Sequence, residues 1–257
     1  MIEYGMEKFT IDINSNLKVE GEIHRVQSSN KIIVFSPGFG VKRYGYLNLF
    51  SELYLELKDQ YSAIFMDYMQ EDEEGNSYVV RLTEQAKMLE AVITRVQNAN
   101  PEYDITIIGH SQGGTVATLL PINILQGIQQ VIMIASPIQP PYERWSKYFS
   151  QRPETVIDEN GISRIKRSDG RITYVPAEFI NDIREIIPYI ECERASKYTK
   201  IAYISALEDE TVTDDRLPMK NISTLEYYEL HGDHNFIESS RLRLFQKVKE
   251  ITKESLT

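Results

Sequence analysis

The sequence GHSQGG, residues 109–114, carries Ser111 in a glycine-rich setting. It follows the apolar run Ile105–Ile108 and precedes a segment with helical spacing, the strand–turn–helix context that a catalytic G-x-S-x-G motif requires. A sharp turn strains the serine backbone, and flanking glycines let the strand and the helix pass close together. The motif therefore predicts that Ser111 is a nucleophile at a helix N-terminus, rather than only a helix-capping serine.

A nucleophilic serine needs a base that removes its proton, and the chain has four histidines. His24 lies in a predicted hairpin near the start of the chain, and His110 is constrained within the serine turn itself. The sequence HGDHNF, residues 231–236, lies between the last predicted strand and the last predicted helix. His234 is the better candidate, because its loop can arch back over the serine whereas His231 adjoins the strand. The alternative is an exposed loop histidine without a catalytic role.

An acid that orients the base is expected between the serine and the histidine in the chain. The predicted strand KIAYISAL, residues 200–207, leads into a run of carboxylates. Asp209 lies just past the C-terminal end of this strand, where the catalytic groups of parallel sheets collect. We therefore predict Asp209 as the orienting acid, with Glu208 and Asp214 as reserves. The alternative is that these acids are an ordinary solvated charge run.

Two backbone N–H groups are needed to stabilise the oxyanion of an acyl transfer. In this motif one belongs to the residue after the nucleophile, Gln112, and the other to a loop after an earlier strand. The sequence SPGFG, residues 36–40, follows the apolar run KIIVFS, so Phe39 is the second predicted donor. A nucleotide-binding loop is disfavoured, because Arg43 replaces the third glycine of the dinucleotide fingerprint and no Gly-Lys-Ser/Thr ending is present.

We expect neither a metal nor a cofactor. His231 and His234 are three residues apart, but no third residue with ligand-like spacing lies nearby. The one cysteine, Cys192, excludes an internal disulfide and a zinc site built from cysteines.

Short apolar runs alternate with amphipathic segments along the chain, which predicts an α/β fold with a mostly parallel central sheet and helices on both faces. The opening segment predicts an antiparallel hairpin at the sheet edge. Further strands are predicted at residues 31–36, 62–68, 104–110, 130–136, 200–207 and 224–230. Helices are predicted at residues 47–58, 82–96, from about 113, at 177–187 and at the end of the chain.

Residues 137–195 break this alternation, because they are rich in Pro, Tyr and charge and have no long buried strand. Within them, ISRIKR and RITYV flank Asp169-Gly170, which is a strong hairpin signal. Since the strand pattern resumes afterwards, we interpret this stretch as a cap inserted after the sixth strand of a core made of residues 1–136 and 196–257.

Specificity is expected to lie in this cap. Its aromatic residues are predicted to line an apolar substrate pocket above the serine, or else only to attach the cap to the sheet: Tyr142, Trp145, Tyr174 and Phe179. Four basic residues make its hairpin positive within an acidic chain, and we expect a solvated hairpin rather than an anion site: Arg164, Lys166, Arg167 and Arg171.

Composition disfavours other classes of protein. The 257 residues include 28 Lys and Arg against 38 Asp and Glu, for a formal net charge of −10, which argues against a nucleic-acid partner. Neither a secretory signal nor an apolar stretch long enough to span a membrane is evident in the sequence. We expect a cytoplasmic protein with a small-molecule substrate and no membrane partner, and leave its oligomeric state open, a homodimer included.

Taken together, the motifs resemble those of the α/β-hydrolase superfamily over about residues 15–255. GHSQGG matches the nucleophile turn, SPGFG the oxyanion loop, ALEDETV the acid and HGDHNF the base. The cap is similar to that of bacterial feruloyl/cinnamoyl esterase-like hydrolases. The resemblance implies the following roles: Ser111 as nucleophile, His234 as base, Asp209 as orienting acid, and Phe39 and Gln112 as oxyanion donors.

The chain departs from this family pattern in two places. Many relatives have His-Gly where this chain has Pro37-Gly38, and a short Arg/Gly-rich turn where residues 68–77 are acidic. Both departures bear on which substrate is bound more than on which class of reaction is catalysed.

The implied reaction is hydrolysis of a small acyl or aryl carboxylic ester through an acyl-enzyme. Carboxylic esters are the expected substrates, because the departure of their leaving group needs the least assistance from the enzyme. A thioesterase, lipase, peptidase, haloperoxidase or carbon–carbon bond hydrolase would use the same triad, and a non-catalytic binding protein would share the fold.

Overall fold

The structure is a computed structural model that describes residues 4–27, 29–167, 169–213 and 215–254. Its strands are β1 (Tyr4–Asn14), β2 (Leu17–Val26), β3 (Lys31–Ser36), β4 (Ser62–Asp67), β5 (Gln70–Glu71), β6 (Ser77–Tyr78), β7 (Asp104–His110), β8 (Gln130–Ile134), β9 (Ile162–Lys166), β10 (Ile172–Pro176), β11 (Lys200–Ala206) and β12 (Leu225–Leu230). Its α-helices are α1 (Leu49–Leu57), α2 (Leu82–Ala99), α3 (Gln112–Thr118), α4 (Ile122–Leu125), α5 (Tyr142–Ser150), α6 (Ala177–Glu185), α7 (Pro188–Ala195), α8 (Leu217–Lys220) and α9 (Ser239–Glu254).

The main sheet of the described chain has eight strands in the order β1-β2-β4-β3-β7-β8-β11-β12. In this order, every pair of neighbouring strands from β4 to the edge strand β12 is parallel. Strands β1 and β2 form an antiparallel hairpin, and β2 pairs antiparallel with β4. The predicted fold class is therefore confirmed: the sheet is mostly parallel, and the opening hairpin lies at its edge.

Helices cover both faces of the sheet, so the central strands are apolar on both sides. Successive side chains of β3 alternate between two cores: Val34 packs on the side of α2 and α3, and Phe35 on the side of α1 and α9. In the described chain, none of these helices is long and apolar enough to cross a membrane.

Several helix boundaries differ from the sequence predictions by one to three residues, and the starts of two helices have identifiable reasons. The helix predicted from Leu47 begins at Leu49, because Leu47 and Asn48 have positive φ values of 47° and 60°. Pro188, which follows the helix predicted at residues 177–187, begins α7, where its fixed φ and missing N–H are well tolerated.

The segment between β8 and β11 contains α5, the hairpin β9–β10, α6 and α7. Its hairpin does not stand alone, because β10 pairs in parallel with β6 and completes a second sheet in the order β5-β6-β10-β9. The short strands β5 and β6 come from the acidic segment after Asp67, for which the sequence predicted no strand. Asn76 joins the two parts, since its side-chain oxygen accepts a hydrogen bond from the Ile172 N–H at 3.0 Å.

Asp182 of α6 attaches the same segment to the N-terminus of α2. Its carboxylate accepts hydrogen bonds from the Thr83 N–H at 3.1 Å and from the Arg81 guanidinium at 2.6 Å. Helix α2 has no side-chain cap of its own, so this buried carboxylate from another helix satisfies one of its unpaired N–H groups.

Candidate active site

Ser111 is the single residue between the end of β7 and the start of α3. Its φ of 53° and ψ of −127° lie in a region that residues with a side chain rarely adopt. The turn leaves no room for neighbouring side chains: a Cβ at Gly113 would overlap the Ser36 carbonyl oxygen, and one at Gly109 would lie 2.5 Å from the Gly114 nitrogen. The glycines thus permit the close approach that the strained turn requires.

Asp209 and His234 form a buried pair. The His234 Nδ1 lies 2.8 Å from the Asp209 Oδ2, and the two side chains are 11% and 3% exposed, respectively. The other carboxylate oxygen accepts hydrogen bonds from the Thr211 and Val212 N–H groups at 2.8 and 2.7 Å. Because the carboxylate only accepts, the pair places the histidine proton on Nδ1 and leaves Nε2 as a proton acceptor.

His231 has a different partner and a different environment. Its side chain is 70% exposed and its Nδ1 lies 2.7 Å from the Glu208 Oε1. The second oxygen of Glu208 accepts a hydrogen bond from the Gly232 N–H at 2.5 Å. The hydrogen bond from His231 is the main reason that the pKa of Glu208 lies below its usual value. Of the two reserve acids, Glu208 therefore pairs with the exposed histidine, and Asp214 lies outside the described residues.

His110 joins the serine turn to the loop of His234. Its Nε2–H donates a hydrogen bond to the His234 carbonyl oxygen at 2.8 Å, and the two ring centroids are 5.0 Å apart. Burial is the main reason that the pKa of His110 is lowered to about 3, and electrostatic repulsion from the neighbouring His234 adds to it, so the His110 ring is neutral and acts as a single donor at Nε2. Ser111 and His234 are both among the described residues, and the Ser111 hydroxyl makes no hydrogen bond to His234 in this structure.

The loop after β3 lies directly beside Ser111. A Cβ at Gly38 would be 3.2 Å from the Ser111 Cβ, which places the next residue, Phe39, at the serine turn. The Gln112 N–H lies in the first turn of α3 and so has no partner within the helix. Its side chain is fixed by Gln85 of α2, whose buried amide oxygen accepts a hydrogen bond from the Gln112 Nε2 at 2.8 Å.

The ring of Phe39 packs against three aromatic rings of residues 137–195. Its centroid lies 5.7 Å from that of Trp145, 5.3 Å from that of Phe149 and 5.3 Å from that of Phe179. Two of the predicted substrate-binding residues, Trp145 and Phe179, therefore lie beside the predicted oxyanion loop. Both are buried.

The other two predicted substrate-binding residues have different neighbours. The Tyr142 hydroxyl donates a hydrogen bond to the Glu159 carboxylate. The guanidinium carbon of Arg184 lies over the Tyr142 ring, 3.8 Å from the ring centroid. Tyr174 stacks on Tyr78 in the second sheet, with 4.8 Å between their centroids. The structure thus brings neither of them into ring contact with the cluster of Phe39.

Basic residues of the β9–β10 hairpin have partners within the protein. Lys166 pairs with Glu154 and Arg171 with Asp169, both at 2.6 Å, and Arg167 donates to the Ser77 hydroxyl at 3.1 Å. In the part of the chain that the structure describes, no group of three or more His, Cys, Asp or Glu side chains could hold a metal ion.

Known proteins resemble this chain in sequence over part of its length and in structure over nearly all of it. The model of the PGAP1-like alpha/beta domain matches residues 45–163, less than half of the chain. No curated protein matches its sequence. Est1E from Butyrivibrio proteoclasticus, in a structure with bound ferulic acid, has a TM-score of 0.72 and 15% identity, covering 96% of this chain and 99% of that one.

Two further solved structures are similar. The esterase Pf2001 from Pyrococcus furiosus has a TM-score of 0.66 and 19% identity, covering 100% of this chain and 92% of that one. The esterase domain of a Rhodothermus marinus protein has a TM-score of 0.64 and 14% identity, with 95% of each chain covered. This chain has the α/β-hydrolase fold. The fold that the resemblance of its motifs implied is thereby confirmed.

Within this α/β-hydrolase fold, sequence reasoning missed Gln85 and the bridging role of His110. Gln85 lies on the buried face of α2, and a polar residue in an otherwise apolar stripe was the available signal. For His110, the signal was its position directly before the serine. Its partner, a backbone carbonyl from near the other end of the chain, could not be read from any local pattern.

Proposed function

We propose that this protein is a serine hydrolase that cleaves carboxylic esters through an acyl-enzyme at Ser111. The observation that carries this proposal is the buried pair of Asp209 and His234, with 2.8 Å between their facing atoms. The pair orients an imidazole whose other nitrogen is available as a base, and His110 ties its loop to the turn that exposes the serine. The hydrogen bond from the Ser111 hydroxyl to that nitrogen would form with substrate bound, since catalytic hydrogen bonds often tighten only then.

In the first step, the Ser111 Oγ attacks the ester carbonyl carbon while the His234 Nε2 takes the hydroxyl proton. The Asp209 carboxylate stabilises the resulting imidazolium. The negative charge on the former carbonyl oxygen is met by the N–H groups of Phe39 and Gln112, and one such donor contributes about 3 kcal/mol.

In the second step, His234 gives its proton to the leaving alcohol oxygen as the ester C–O bond breaks. A water then attacks the acyl carbon, with His234 as its base. The bond between the acyl carbon and the Ser111 Oγ breaks, the serine oxygen is reprotonated, and a carboxylic acid is released.

An aryl or small acyl ester is the substrate that the surroundings of the site favour. The cluster of Phe39, Trp145 and Phe179 lies beside the oxyanion loop, and the similar protein Est1E binds ferulic acid, an aromatic acid. We propose that residues 137–195 act as a cap over the site, between the core segments 1–136 and 196–257, and that these aromatic residues contact the substrate.

Substitution of the nucleophile tests the proposal. We expect Ser111→Ala to lower the turnover of p-nitrophenyl butyrate by on the order of a thousand-fold or more, because no other residue replaces the attacking oxygen. The melting temperature and circular dichroism should stay close to those of the wild type. Ser223→Ala, at an exposed position before β12, is the control and should remain active. Turnover by Ser111→Ala at the wild-type rate would contradict the proposal.

A further inference from the structure

Two loops, one of which follows His234, hold residues in an unfavourable backbone conformation. Seven residues other than glycine have positive φ in the described chain, and four of them lie in these two loops. Phe236 and Glu238, with φ of 46° and 54°, lie between His234 and α9. Leu47 and Asn48, with φ of 47° and 60°, lie between the oxyanion loop and α1. Such conformations persist only where surrounding contacts hold them.

Arg241, in the first turn of α9, contacts both loops. Its Nε–H donates to the Phe236 carbonyl at 3.1 Å, and one Nη donates to the Asn235 carbonyl at 3.4 Å. The other Nη donates to the Leu47 carbonyl and to the Glu52 carboxylate, each at 2.8 Å. The side chain is only 11% exposed. One rigid, planar group thus joins the loop of the histidine, the loop before α1, and α1 itself.

These bonds bear directly on the main chain around His234. His110 donates to the carbonyl of His234 itself, and Arg241 donates to the carbonyls of the next two residues. The main chain that carries the imidazole is therefore held from two directions. A displacement of this loop would move the imidazole nitrogen relative to Ser111.

We propose that Arg241 is a positioning residue that keeps the His234 imidazole within reach of Ser111 by fixing the loop of residues 235–238 against residues 47–48. This inference rests on the proposed function, because it is defined by the role of His234 as the base. Arg241 is not placed in contact with substrate.

A second ion pair also joins α9 to α1, and it provides a matched control for Arg241. Lys249 of α9 pairs with Glu56 of α1 at 2.9 Å, and both side chains are over a third exposed. This pair links the same two helices but touches neither loop. Lys249→Ala therefore removes a helix-to-helix ion pair without changing the contacts of residues 235–238.

The experiment compares wild type, Arg241→Ala, Arg241→Lys and Lys249→Ala for kcat and KM on p-nitrophenyl butyrate, and for melting temperature. We expect Arg241→Ala to lower kcat by on the order of a hundred-fold at nearly unchanged KM, because the base is misplaced. Arg241→Lys keeps the charge but cannot donate in three directions from one plane, so its kcat should also fall. Guanidinium chloride, well below denaturing concentrations, should restore part of the kcat of Arg241→Ala. Lys249→Ala should keep its kcat.

Wild-type kcat in Arg241→Lys would overturn the inference, and this variant decides alone if Arg241→Ala does not fold. The inference would also be overturned if guanidinium did not restore the kcat of Arg241→Ala and if Lys249→Ala also lost kcat, with both losses following the decrease in melting temperature. Such a result would indicate a general loss of stability rather than a misplaced base. A wild type without turnover and without labelling of Ser111 by a fluorophosphonate would instead contradict the proposed function. An active wild type with unimpaired Arg241 variants contradicts only the role of Arg241.

Discussion

Neighbouring residues of the serine turn have opposite environments. Ser111 is partly exposed and lies in a strained conformation, whereas the His110 ring is buried and bonded to the carbonyl of His234. The two histidines of the HGDHNF sequence differ in the same way. His234 is buried and contacts Asp209, whereas His231 is exposed and contacts Glu208. The histidines of this chain therefore share a residue type but differ in burial and partner, and these two properties are the grounds for proposing His234 as the base.

The burial of His110 leads to a prediction about how the stability of the protein depends on pH. Its pKa in the folded protein is lowered to about 3, whereas an unfolded histidine titrates near 6.5. Below pH 6.5 the unfolded state therefore binds a proton that the folded state does not, and stability falls as the pH is lowered from 6.5 towards 3. Between pH 7.5 and pH 5, we expect this group to remove about 2 kcal/mol of unfolding free energy.

Urea denaturation of wild type and His110→Gln at the two pH values measures this contribution. Glutamine keeps a donor but does not titrate, so this variant should lose less stability between pH 7.5 and pH 5 than the wild type does. Equal losses in the two proteins would show that His110 does not titrate as described.

At the scale of elements, helix α6 is joined to α2 by one carboxylate. Asp182 is buried and accepts hydrogen bonds from Arg81 and from the N–H of Thr83. It supplies from a distant part of the chain the capping group that Arg81, at the N-cap position of α2, does not provide. The segment of residues 137–195 thereby stabilises the start of a core helix.

Asp182→Ala should accordingly destabilise the whole protein. We expect a loss of about 1–3 kcal/mol of unfolding free energy, because the Thr83 N–H and the Arg81 guanidinium lose their acceptor, although Arg81 is partly solvated. Thermal and urea denaturation measure this loss. Glu185→Ala, an exposed position on the same helix, is the control and should be near neutral. Equal stability of the two variants would contradict the capping role.

Elements that are apolar and continuous could be predicted from the sequence, and those defined by distant partners could not. Strands β3 and β7 were predicted with their observed ends, because buried parallel strands are uninterrupted apolar runs. Helix α5 was missed because its apolar face is made of Tyr142, Trp145 and Phe149 among charged residues. Strands β5 and β6 have two residues each and exist through pairing with the distant β10, so no local pattern marks them.

The candidate site was predictable to a similar extent. The residues in named motifs were identified from their spacing and chain order, since each directly follows a predicted strand or a turn. The supporting contacts of Gln85, His110 and Arg241 were not, because each joins positions far apart in the chain. The motifs did not predict a specific substrate, and the packing of the Phe39 ring against residues 137–195 is defined only in the folded chain.

At the scale of the whole molecule, the sheet gathers the candidate residues at one edge. Phe39 follows β3, Ser111 follows β7, Asp209 follows β11 and His234 follows β12, and these four strands are parallel members of one sheet. The carboxyl ends of parallel strands therefore bring residues from distant parts of the chain to the same place. This arrangement underlies the central claim, that His234 activates Ser111.

The rate at which a fluorophosphonate labels Ser111, followed by mass spectrometry of the modified peptide, tests that claim most directly. We expect rapid labelling at Ser111 in wild type and in His231→Ala, because the exposed histidine does not contact the site. In His234→Ala the labelling should slow by on the order of a thousand-fold, since no base takes the serine proton. Equal labelling rates in His231→Ala and His234→Ala, or a label on a residue other than Ser111, would contradict the claim.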